Sequence, residues 1–377
     1  MTLRQAQSHS EFIESMKVAL VYDRVNKWGG AERVLLALHK MFPRAPLFTS
    51  VYNEETAGWA GIFDIKTSFL QSFPLARRKH ELYATFMPLA FESLSFDGYD
   101  LVISLSSEAS KGIITKPGTC HICYCLTPTR YLWSGYGDYF KNPLLRFLSK
   151  PAVSYLKSWD LVASQRPDYY ASISKEVAGR VRKYYGRDSI IIYPPVAGIG
   201  RNVNSKKEDF YLLVSRPVPY KRIDIAIEVF KNNGKKLKIV GAGLGERFLK
   251  GSLPNNIEVL GDVSDEALFD LYQRANALIF PGREDFGLVM AEAQSFGTPV
   301  VAFGGGGALE IIEEGRTGEF FNKHDSSSLQ ATLEMFDKKS YNSEYIKERA
   351  LRFGPQRFEK EFLNFVENSL SAYSEKI

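Results

Sequence analysis

The chain has 377 residues, a length that predicts two domains of ordinary size, and 45% hydrophobic with 24% charged residues is a globular composition. A net charge of +5 suits anionic small-molecule substrates or an acidic membrane surface and is too small to indicate nucleic-acid binding. No apolar run approaches the ~20 residues of a membrane span, and residues 1–15 lack the apolar core of a secretory signal. We therefore expect a cytoplasmic protein whose residues 1–15 form an N-terminal extension.

The first predicted strand, Lys17–Asp23, leads into a glycine loop and then a helix. The loop contains Gly29, Gly30 and Glu32, and apolar residues at helical spacing continue to Phe42. Strand, glycine loop and helix form the opening unit of a Rossmann-like domain. Glycines let a ligand approach the backbone and place a helix N-terminus beside it, so this loop is a candidate ligand site. The pattern is not G-x-G-x-x-G, which disfavours a dinucleotide, and an ordinary tight turn is the alternative.

Two segments of the first half combine basic residues with apolar ones. Residues 66–96 contain the run Arg77-Arg78-Lys79-His80 among aromatic side chains, and residues 141–159 alternate between the two types. Such segments are typical of an interfacial or acceptor-facing element, or of a packed helical subdomain with a solvated charged face. Pro151 is predicted to interrupt the second segment, so that it does not form one helix.

Polar segments follow the predicted strands Asp100–Ser106 and His121–Cys125. Lys111 lies in the first of these segments, and the second carries Arg130, Tyr131 and Trp133. An arginine and two aromatic residues after a strand suit phosphate pairing and sugar stacking, although packing alone would also explain them.

The three cysteines lie close together at positions 120, 123 and 125. A zinc site needs about four ligands, and only His121 is nearby. We predict buried free thiols and no metal site.

Residues 197–209 are rich in Gly, Asn and Lys and predict a boundary between domains at 16–196 and 197–355. The second domain restarts with the strand Phe210–Arg216, which includes Ser215. Arg216 at the strand end and Lys221 five residues later can converge on one diphosphate. The next strand, Leu237–Val240, enters a loop containing Gly241 and Gly243.

The most informative segment is PGREDFGLVMAEAQSFGTP, residues 281–299. It follows an apolar strand, and a helix is predicted from Leu288 to Phe296, with Gly297 as its stop. Glu284 precedes the helix and Glu292 lies about one turn inside it. Both can face the C-terminal edge of a parallel sheet, where open α/β sheets bind ligands. The N–H groups at the helix start suit an anion or sugar hydroxyls, and they belong to Phe286, Gly287 and Leu288.

The segments S-R-x-x-P-Y-K-R and E-D-F-G-L-x-x-x-E resemble the donor site of retaining glycosyltransferases of the GT-B fold, family 4. The stretch T-P-T-R-Y-L-W resembles bacterial GDP-mannose-dependent mannosyltransferases of O-antigen and polysaccharide synthesis. The resemblance covers nearly all of residues 16–377. It implies an α/β protein of two Rossmann-like domains facing across a cleft, with residues 356–377 crossing back to the first. Leu126 and Glu108 stand where relatives carry histidines that are acceptor-side candidates.

The resemblance also implies roles for individual residues. The catalytic set is Glu284, Arg216 and Lys221. The donor-binding set is Gly29, Gly30, Glu32, Ser215, Gly241, Gly243, Phe286, Gly287, Leu288 and Glu292. The acceptor-binding set is Arg130, Tyr131, Trp133 and Lys111. The glycine loop of the first domain would face the donor across the cleft.

The reaction implied is transfer of mannose from GDP-mannose, with retention, to a saccharide or lipid-linked acceptor. The protein would lie at the inner face of the cell membrane as a peripheral protein. No D-x-D occurs, so no metal and no other cofactor is expected. The residues leave open another GDP- or UDP-sugar, and a double displacement on a carboxylate nucleophile. A sugar-nucleotide epimerase and a non-catalytic nucleotide-sugar binding protein are the alternatives of another class.

Overall fold

The computed structural model describes residues 16–139, 142–201, 206–241, 243 and 253–376. The predicted extension 1–15, residues 202–205 of the predicted boundary segment and Ala242 lie outside the described residues. The chain forms two compact units: unit 1 runs to Tyr193 and includes the chain again from Phe358, and unit 2 spans Pro194–Arg357. Each unit contains one parallel sheet with helices in the connections, so the predicted class of two Rossmann-like α/β domains is confirmed.

Unit 1 contains a seven-stranded sheet in the order β3-β2-β1-β4-β5-β6-β7, with every pairing parallel. Its central strands are apolar runs buried along their whole length, as expected where helices cover both faces of a sheet. The strands are β1 Val18–Tyr22, β2 Leu47–Thr49, β3 Ile65–Thr67, β4 Leu101–Ser106, β5 Cys120–Cys125, β6 Tyr169–Ser172 and β7 Ile190–Ile191.

The helices of unit 1 have clear local signals at several ends. The Ser174 hydroxyl accepts a hydrogen bond from the N–H of Val177, and Gly186 at φ 65° ends the same helix. The α-helices are Gly30–Met41, Met87–Glu92, Tyr136–Tyr139, Pro143–Ala163, Lys175–Tyr185 and Pro355–Ser374. Short 3-10 helices cover Gly58–Ile62, Phe69–Ser72, His80–Phe86 and Ser110–Gly112.

The prediction that Pro151 interrupts its segment is wrong, because one helix runs through it from Pro143 to Ala163. A proline inside a helix removes one backbone hydrogen bond and costs about 3 kcal/mol. Here Pro151 and Phe147 lie on the exposed side of the helix, so the carbonyl of Phe147, which Pro151 leaves without a donor, is on the side that solvent can reach. Burial of Val153 and Leu156 on the opposite side holds the helix in place. The tertiary contacts outweigh the local rule.

The last helix packs on unit 1 through aromatic side chains. The rings of Phe358 and Phe362 lie edge-on to Tyr124 of β5, with centroids 5.9 and 5.7 Å away. The three cysteines are buried and free, as predicted. Burial raises the pKa of Cys120 and of Cys123 to about 12, which makes both thiols unreactive at neutral pH.

Unit 2 contains a six-stranded parallel sheet in the order β10-β9-β8-β11-β12-β13. Its strands are β8 Tyr211–Val214, β9 Leu237–Val240, β10 Ile257–Gly261, β11 Leu278–Phe280, β12 Val300–Phe303 and β13 Gly318–Phe321. Its α-helices are Ile223–Asn233, Asp265–Arg274, Leu288–Ser295, Ala308–Ile311, Ser326–Phe336 and Ser343–Ala350, with 3-10 helices at Pro219–Lys221 and Leu351–Phe353. Among the described residues, no helix is long and apolar enough to cross a membrane.

Candidate functional site

Two adjacent loops of unit 2 bring Lys221 and Glu284 into contact. Strands β8 and β11 are parallel neighbours, so the loops that follow them leave the same edge of the sheet. Lys221 ends the 3-10 turn after β8, and its Nζ forms an ion pair with Oε1 of Glu284, which follows β11. The side chains are 14% and 15% exposed, so the pair is largely shielded and still reachable from solvent.

The contact between these loops depends on Gly282. A Cβ built there would lie 2.8 Å from Cα of Lys221 and 3.0 Å from the carbonyl oxygen of Tyr220. Only glycine permits backbone to approach backbone this closely. The ammonium of Lys221 also lies 5.2 Å from the ring centroid of Phe280, at the end of β11. The proline-glycine break after the strand is therefore what places Glu284 beside Lys221.

A third loop, after β12, packs against Glu284 through its glycines. Glu284 forms an isolated parallel bridge with Gly306, and the N–H of Gly307 donates to the carbonyl of Glu284 at 2.9 Å. A side chain on Gly306 or Gly307 would overlap the backbone of Glu284 or Phe286. The sequence does not predict this pairing. Four consecutive glycines directly after a strand were the available signal.

The helix start of the central motif lies where the sequence predicts it. Gly287 is the N-cap residue at φ 96°, and the helix begins at Leu288. Phe286 is buried and its ring lies edge-on to Phe353, with centroids 5.3 Å apart. The aromatic anchor fixes the turn, so the N–H groups of the first helical turn have a set direction. Their role as donor contacts stays a prediction.

Glu292 lies inside unit 2. It is 2% exposed, and its Oε2 accepts a hydrogen bond from the Tyr272 hydroxyl at 3.0 Å. The two glutamates of the motif thus differ in environment: Glu284 forms an ion pair at the edge of the sheet, and Glu292 lies in the interior against a phenol. Contact between Glu292 and a ribose stays a prediction.

Arg216 follows β8 and has an exposed side chain. Its carbonyl accepts from the N–H of Val218 at 2.8 Å and from the Ser215 hydroxyl at 3.0 Å, which shapes the turn. Gly243, at φ 74°, lies alongside this turn, since a Cβ on it would be 3.8 Å from Cγ of Pro217. The N–H of Gly241 donates to Gly261 at 2.7 Å. Arg216 is thus available to an anion, and Lys221 already holds a carboxylate.

In unit 1 the predicted donor residue Glu32 has an internal partner. The Tyr22 hydroxyl donates to Oε1 of Glu32 at 2.6 Å, and Glu32 is 2% exposed. Burial and the charge of Glu32 raise the pKa of Tyr22 well above its usual value. Gly29 and Gly30 form the start of the helix that carries Glu32. The carboxylate therefore fixes the helix to β1, and this contact is one the sequence does not predict.

Asp160 gathers four donors from three parts of unit 1. It accepts from Lys111 Nζ at 2.5 Å, Thr129 Oγ1 at 2.9 Å, Trp133 Nε1 at 2.7 Å and the Tyr185 hydroxyl at 2.8 Å. The side chains of Lys111 and Asp160 are 2% and 1% exposed. The assignment of Lys111 to acceptor binding is therefore wrong: its ammonium is enclosed and neutralised, and it has no surface to offer a sugar.

Of the other three acceptor candidates, Trp133 belongs to the Asp160 hydrogen-bond network, and Arg130 and Tyr131 lie near it. Trp133 is held by Asp160 and stacks on Tyr184, with ring centroids 5.2 Å apart. Tyr131 and Arg130 are half-buried on the same turn. Burial raises the pKa of Tyr131 well above its usual value, which keeps the phenol neutral. Contact of Arg130 and Tyr131 with an acceptor stays a prediction.

Three charged residues at the ends of β1 and β4 were not predicted as site residues, although the resemblance marks the position of Glu108. Asp23 accepts five hydrogen bonds of 2.7–2.9 Å from the backbone of residues 107–110 and the Ser107 hydroxyl. Arg24 Nη1 pairs with Oε1 of Glu108 at 2.6 Å. An Asp-Arg pair directly after a buried strand was the signal, because strand ends of parallel sheets carry ligand sites.

A cavity of about 410 Å³ lies elsewhere in unit 1, along β7 and the helix Pro355–Ser374. Its lining includes Ile190, Asn364 and Phe365 and none of the predicted site residues. We place the candidate site at the strand ends, because that is where charged groups converge.

A protein family model matches most of unit 2. Residues 199–353 match the model of glycosyl transferases group 1. The matched residues include both loops that bring Lys221 and Glu284 together.

Relatives with curated descriptions support the group 1 match. An uncharacterized glycosyltransferase of Methanocaldococcus jannaschii is 27% identical over 178 residues, 45% of this chain and 50% of that protein. A mannosylfructose-phosphate synthase of Agrobacterium fabrum is 27% identical over 49% of this chain and 40% of its own. A D-inositol 3-phosphate glycosyltransferase of Streptomyces avermitilis is 40% identical over 75 residues, 20% of this chain and 16% of its own. The chain spans half or less of the length of these relatives.

Solved structures match the fold over most of the chain. The crystal structure of Anabaena Alr3699/HepE in complex with UDP and glucose has a TM-score of 0.66 at 18% identity, covering 94% of this chain and 100% of that one. Sucrose-phosphate synthase of Thermosynechococcus elongatus has a TM-score of 0.68 at 14% identity, with coverage of 94% and 100%. At these identities the likeness concerns the fold.

Proposed function

We propose that this protein is a glycosyltransferase that moves mannose from GDP-mannose, with retention, to a saccharide or lipid-linked saccharide. The observation that carries the proposal is the ion pair between Lys221 and Glu284 at adjacent strand ends, with Arg216 exposed in the same loop as Lys221. Cations there suit a diphosphate, and a carboxylate suits the hydroxyls of the attached sugar. The match of residues 199–353 to group 1 glycosyl transferases supports the same reaction class.

The ion pair indicates how the donor is received. A diphosphate that binds Lys221 takes over the role of Glu284 as the partner of the ammonium. Glu284 is then released to accept hydrogen bonds from sugar hydroxyls. Arg216 and Lys221 offset the charge that develops on the leaving diphosphate, and a bound metal is not needed for that task.

Retention at the anomeric carbon is proposed to follow front-face attack, in which the donor phosphate takes the proton of the acceptor hydroxyl. A double displacement would need a carboxylate free to attack carbon. Glu284 is paired with Lys221 in the unliganded protein, which favours a role in binding over one as a nucleophile.

The donor assignment is tested by calorimetry with GDP and with UDP on the full chain. Arg216→Ala and Lys221→Ala should each weaken nucleoside-diphosphate binding, by about 2–5 kcal/mol for the two together. Lys231→Ala is the matched control, because Lys231 is an exposed lysine of the same unit. Unchanged affinity in both site variants would refute the assignment, and a preference for UDP would exclude GDP-mannose.

We also propose that unit 1 binds anionic membranes. The helix Pro143–Ala163 exposes Leu144, Phe147 and Leu148 at 64–68%, and Arg146 and Lys150 lie among them. This is the pattern of a helix that lies in the membrane interface.

The 66–96 segment adds a second set of exposed apolar side chains. Leu70, Met87 and Phe91 of this segment pack into the core of unit 1. Other members are 36–64% exposed, namely Phe69, Leu75, Leu82, Phe86 and Leu89. The segment is thus a packed subdomain with an apolar outer surface.

Liposome flotation tests the membrane proposal. Binding should rise with anionic lipid and fall with salt, and Phe147→Asp should weaken it. Met335→Asp is the control, since Met335 is an apolar residue of unit 2 with 52% exposure. Equal, negligible binding to neutral and anionic vesicles would leave only the packed-subdomain interpretation.

A further inference from the structure

Arg24 and Glu108 form a largely buried ion pair at the ends of two central strands of unit 1. Arg24 lies two residues beyond β1, and Glu108 two residues beyond β4. Their side chains are 11% and 22% exposed, and Nη1 lies 2.6 Å from Oε1. Asp23 accepts hydrogen bonds from the backbone N–H groups of residues 107–110, which fixes the backbone position of Glu108.

The pair is incompletely satisfied. The Nε of Arg24 is buried and has no hydrogen-bond acceptor among the described residues. A buried N–H without a partner is destabilising, and the oxygen of a ligand that reached it would remove that penalty. Glu108 uses one oxygen for Arg24, and the other retains capacity to accept from a hydroxyl. The pair thus contains one unused donor, Arg24 Nε, and one oxygen of Glu108 that Arg24 does not use.

The charges around the pair decide what kind of ligand fits. Arg24 is neutralised by Glu108, and the carboxylate of Asp23 lies on the neighbouring residue. Burial, with the nearby charges of Arg24 and Lys27, lowers the pKa of His80 to about 3, so its imidazole is neutral. The carboxylate of Glu108 would repel an anionic group placed here and would not repel neutral hydroxyls.

We propose that Arg24 and Glu108 bind hydroxyl groups of a neutral acceptor sugar and discriminate against acidic sugars. This inference rests on the proposed function, because it identifies the acceptor side of the same transfer. Glu108 accepts from one hydroxyl, and Arg24 Nε donates to the oxygen of a neighbouring one. Discrimination comes from the carboxylate of Glu108, which repels a sugar carboxylate.

The test uses p-nitrophenyl β-glucoside and p-nitrophenyl β-glucuronide, which differ only at carbon 6. Their binding to the full chain is measured by saturation-transfer NMR without nucleotide sugar, in wild type, Glu108→Gln and Arg24→Lys. Glu108→Gln keeps the shape and removes the charge; Arg24→Lys keeps the charge and removes the Nε donor. The control is Arg78→Lys, because the ion pair of Arg78 with Glu55 is 68% and 71% exposed.

We expect wild type to bind the glucoside at least ~10-fold more tightly than the glucuronide, since like charges at close range cost on the order of a kcal/mol or more. Glu108→Gln should narrow that ratio about tenfold, and Arg24→Lys should weaken glucoside binding. Arg78→Lys should change neither. Circular dichroism checks that each variant is folded. If one of the two site variants unfolds, the result for the other decides the test.

Three outcomes overturn the inference: no binding of either glycoside to wild type, a wild-type preference for the glucuronide, or an unchanged ratio in the folded variants. Failure of the proposed function is a separate result. Wild type that discriminates between the glycosides and transfers no sugar from any nucleotide sugar would refute the transferase and leave this site. Transfer without discrimination would refute the site and leave the transferase.

Discussion

Replacing Asp160 by Asn should destabilise unit 1 by about 3–5 kcal/mol, because it leaves a buried ammonium without a counter-charge. Lys111 and Asp160 have side chains only 2% and 1% exposed, so neither is solvated by water. After the substitution Lys111 keeps the carbonyl of Glu108 at 2.6 Å and Thr129 Oγ1 at 3.5 Å. Neither group carries a charge.

Removing the other partner should cost less. In Lys111→Met, the carboxylate of Asp160 keeps three donors, at 2.7–2.9 Å, from Thr129, Trp133 and Tyr185. Hydrogen bonds to a charged group stabilise it, so about 1–3 kcal/mol is expected. The double variant should lose less than the sum of the two, since no unpaired charge remains.

Urea unfolding followed by tryptophan fluorescence measures these changes in unit 1 alone. All four tryptophans lie in that unit, at positions 28, 59, 133 and 159. Asp97→Asn is the control, because its ion pair with Lys116 is 59% and 73% exposed and is worth about 1 kcal/mol or less. A loss for Lys111→Met equal to or above that of Asp160→Asn would refute the reasoning.

The pH dependence of this contribution also has a definite sign. Burial alone would lower the pKa of Lys111, but the charge and hydrogen bond of Asp160 raise it above its usual value. A group with a raised folded pKa contributes fully below its unfolded pKa, about 10.4, and loses the contribution as pH rises through the folded value. In the wild type the contribution of Lys111 should therefore stay constant from neutral pH to about 9. In Asp160→Asn burial acts without its counter-charge and lowers the pKa of Lys111, so the stability deficit of the variant should shrink as the pH rises towards about 10.4.

Three further results are expected. Gly282→Ala should weaken nucleoside-diphosphate binding in calorimetry at least ~10-fold, since its Cβ would displace Lys221. The control Gly179→Ala lies on an open helix surface; it should leave that affinity unchanged and leave folding stability unchanged or raise it by up to about 1 kcal/mol. Equal affinity in both variants would contradict the loop contact. Glu284→Gln should lower kcat on the order of 10²-fold and Glu292→Gln should raise the donor KM more than it lowers kcat; exchanged effects in steady-state kinetics would reverse the two roles. EDTA should leave activity unchanged, and loss that magnesium or manganese restores would show that a metal is required.

Strands β11 and β12 of unit 2 were predictable because each is a short apolar run bounded by a turn residue. The strand before Pro281 and the strand ending at Phe303 are each followed by proline or glycine, and the helix between them is bounded by Gly287 and Gly297. The helix Pro143–Ala163 was not predictable, since a local rule about proline competes with burial of one face. The turn residues that bound a strand can be read from the sequence, whereas the burial that holds a helix together across a proline is visible only in the tertiary packing.

The site was predictable in its residue types and not in its pairings. Glu284 and Lys221 belong to separate motifs, and their contact depends on the backbone approach at Gly282. The sequence places Lys111 after a strand, where a cation can bind a ligand. In the structure Lys111 is buried in an ion pair with Asp160, which lies on a helix. No spacing rule connects those two positions.

A transfer assay on the full chain, with a panel of GDP- and UDP-sugars and a lipid-linked saccharide acceptor, decides whether this protein transfers mannose. Products are identified by mass spectrometry, and the released nucleoside diphosphate is quantified. We expect GDP-mannose to yield an acceptor heavier by one hexosyl unit, with one GDP released per transfer and the anomeric configuration of the donor kept. Absence of any glycosylated product across the panel, with the protein folded, would contradict it.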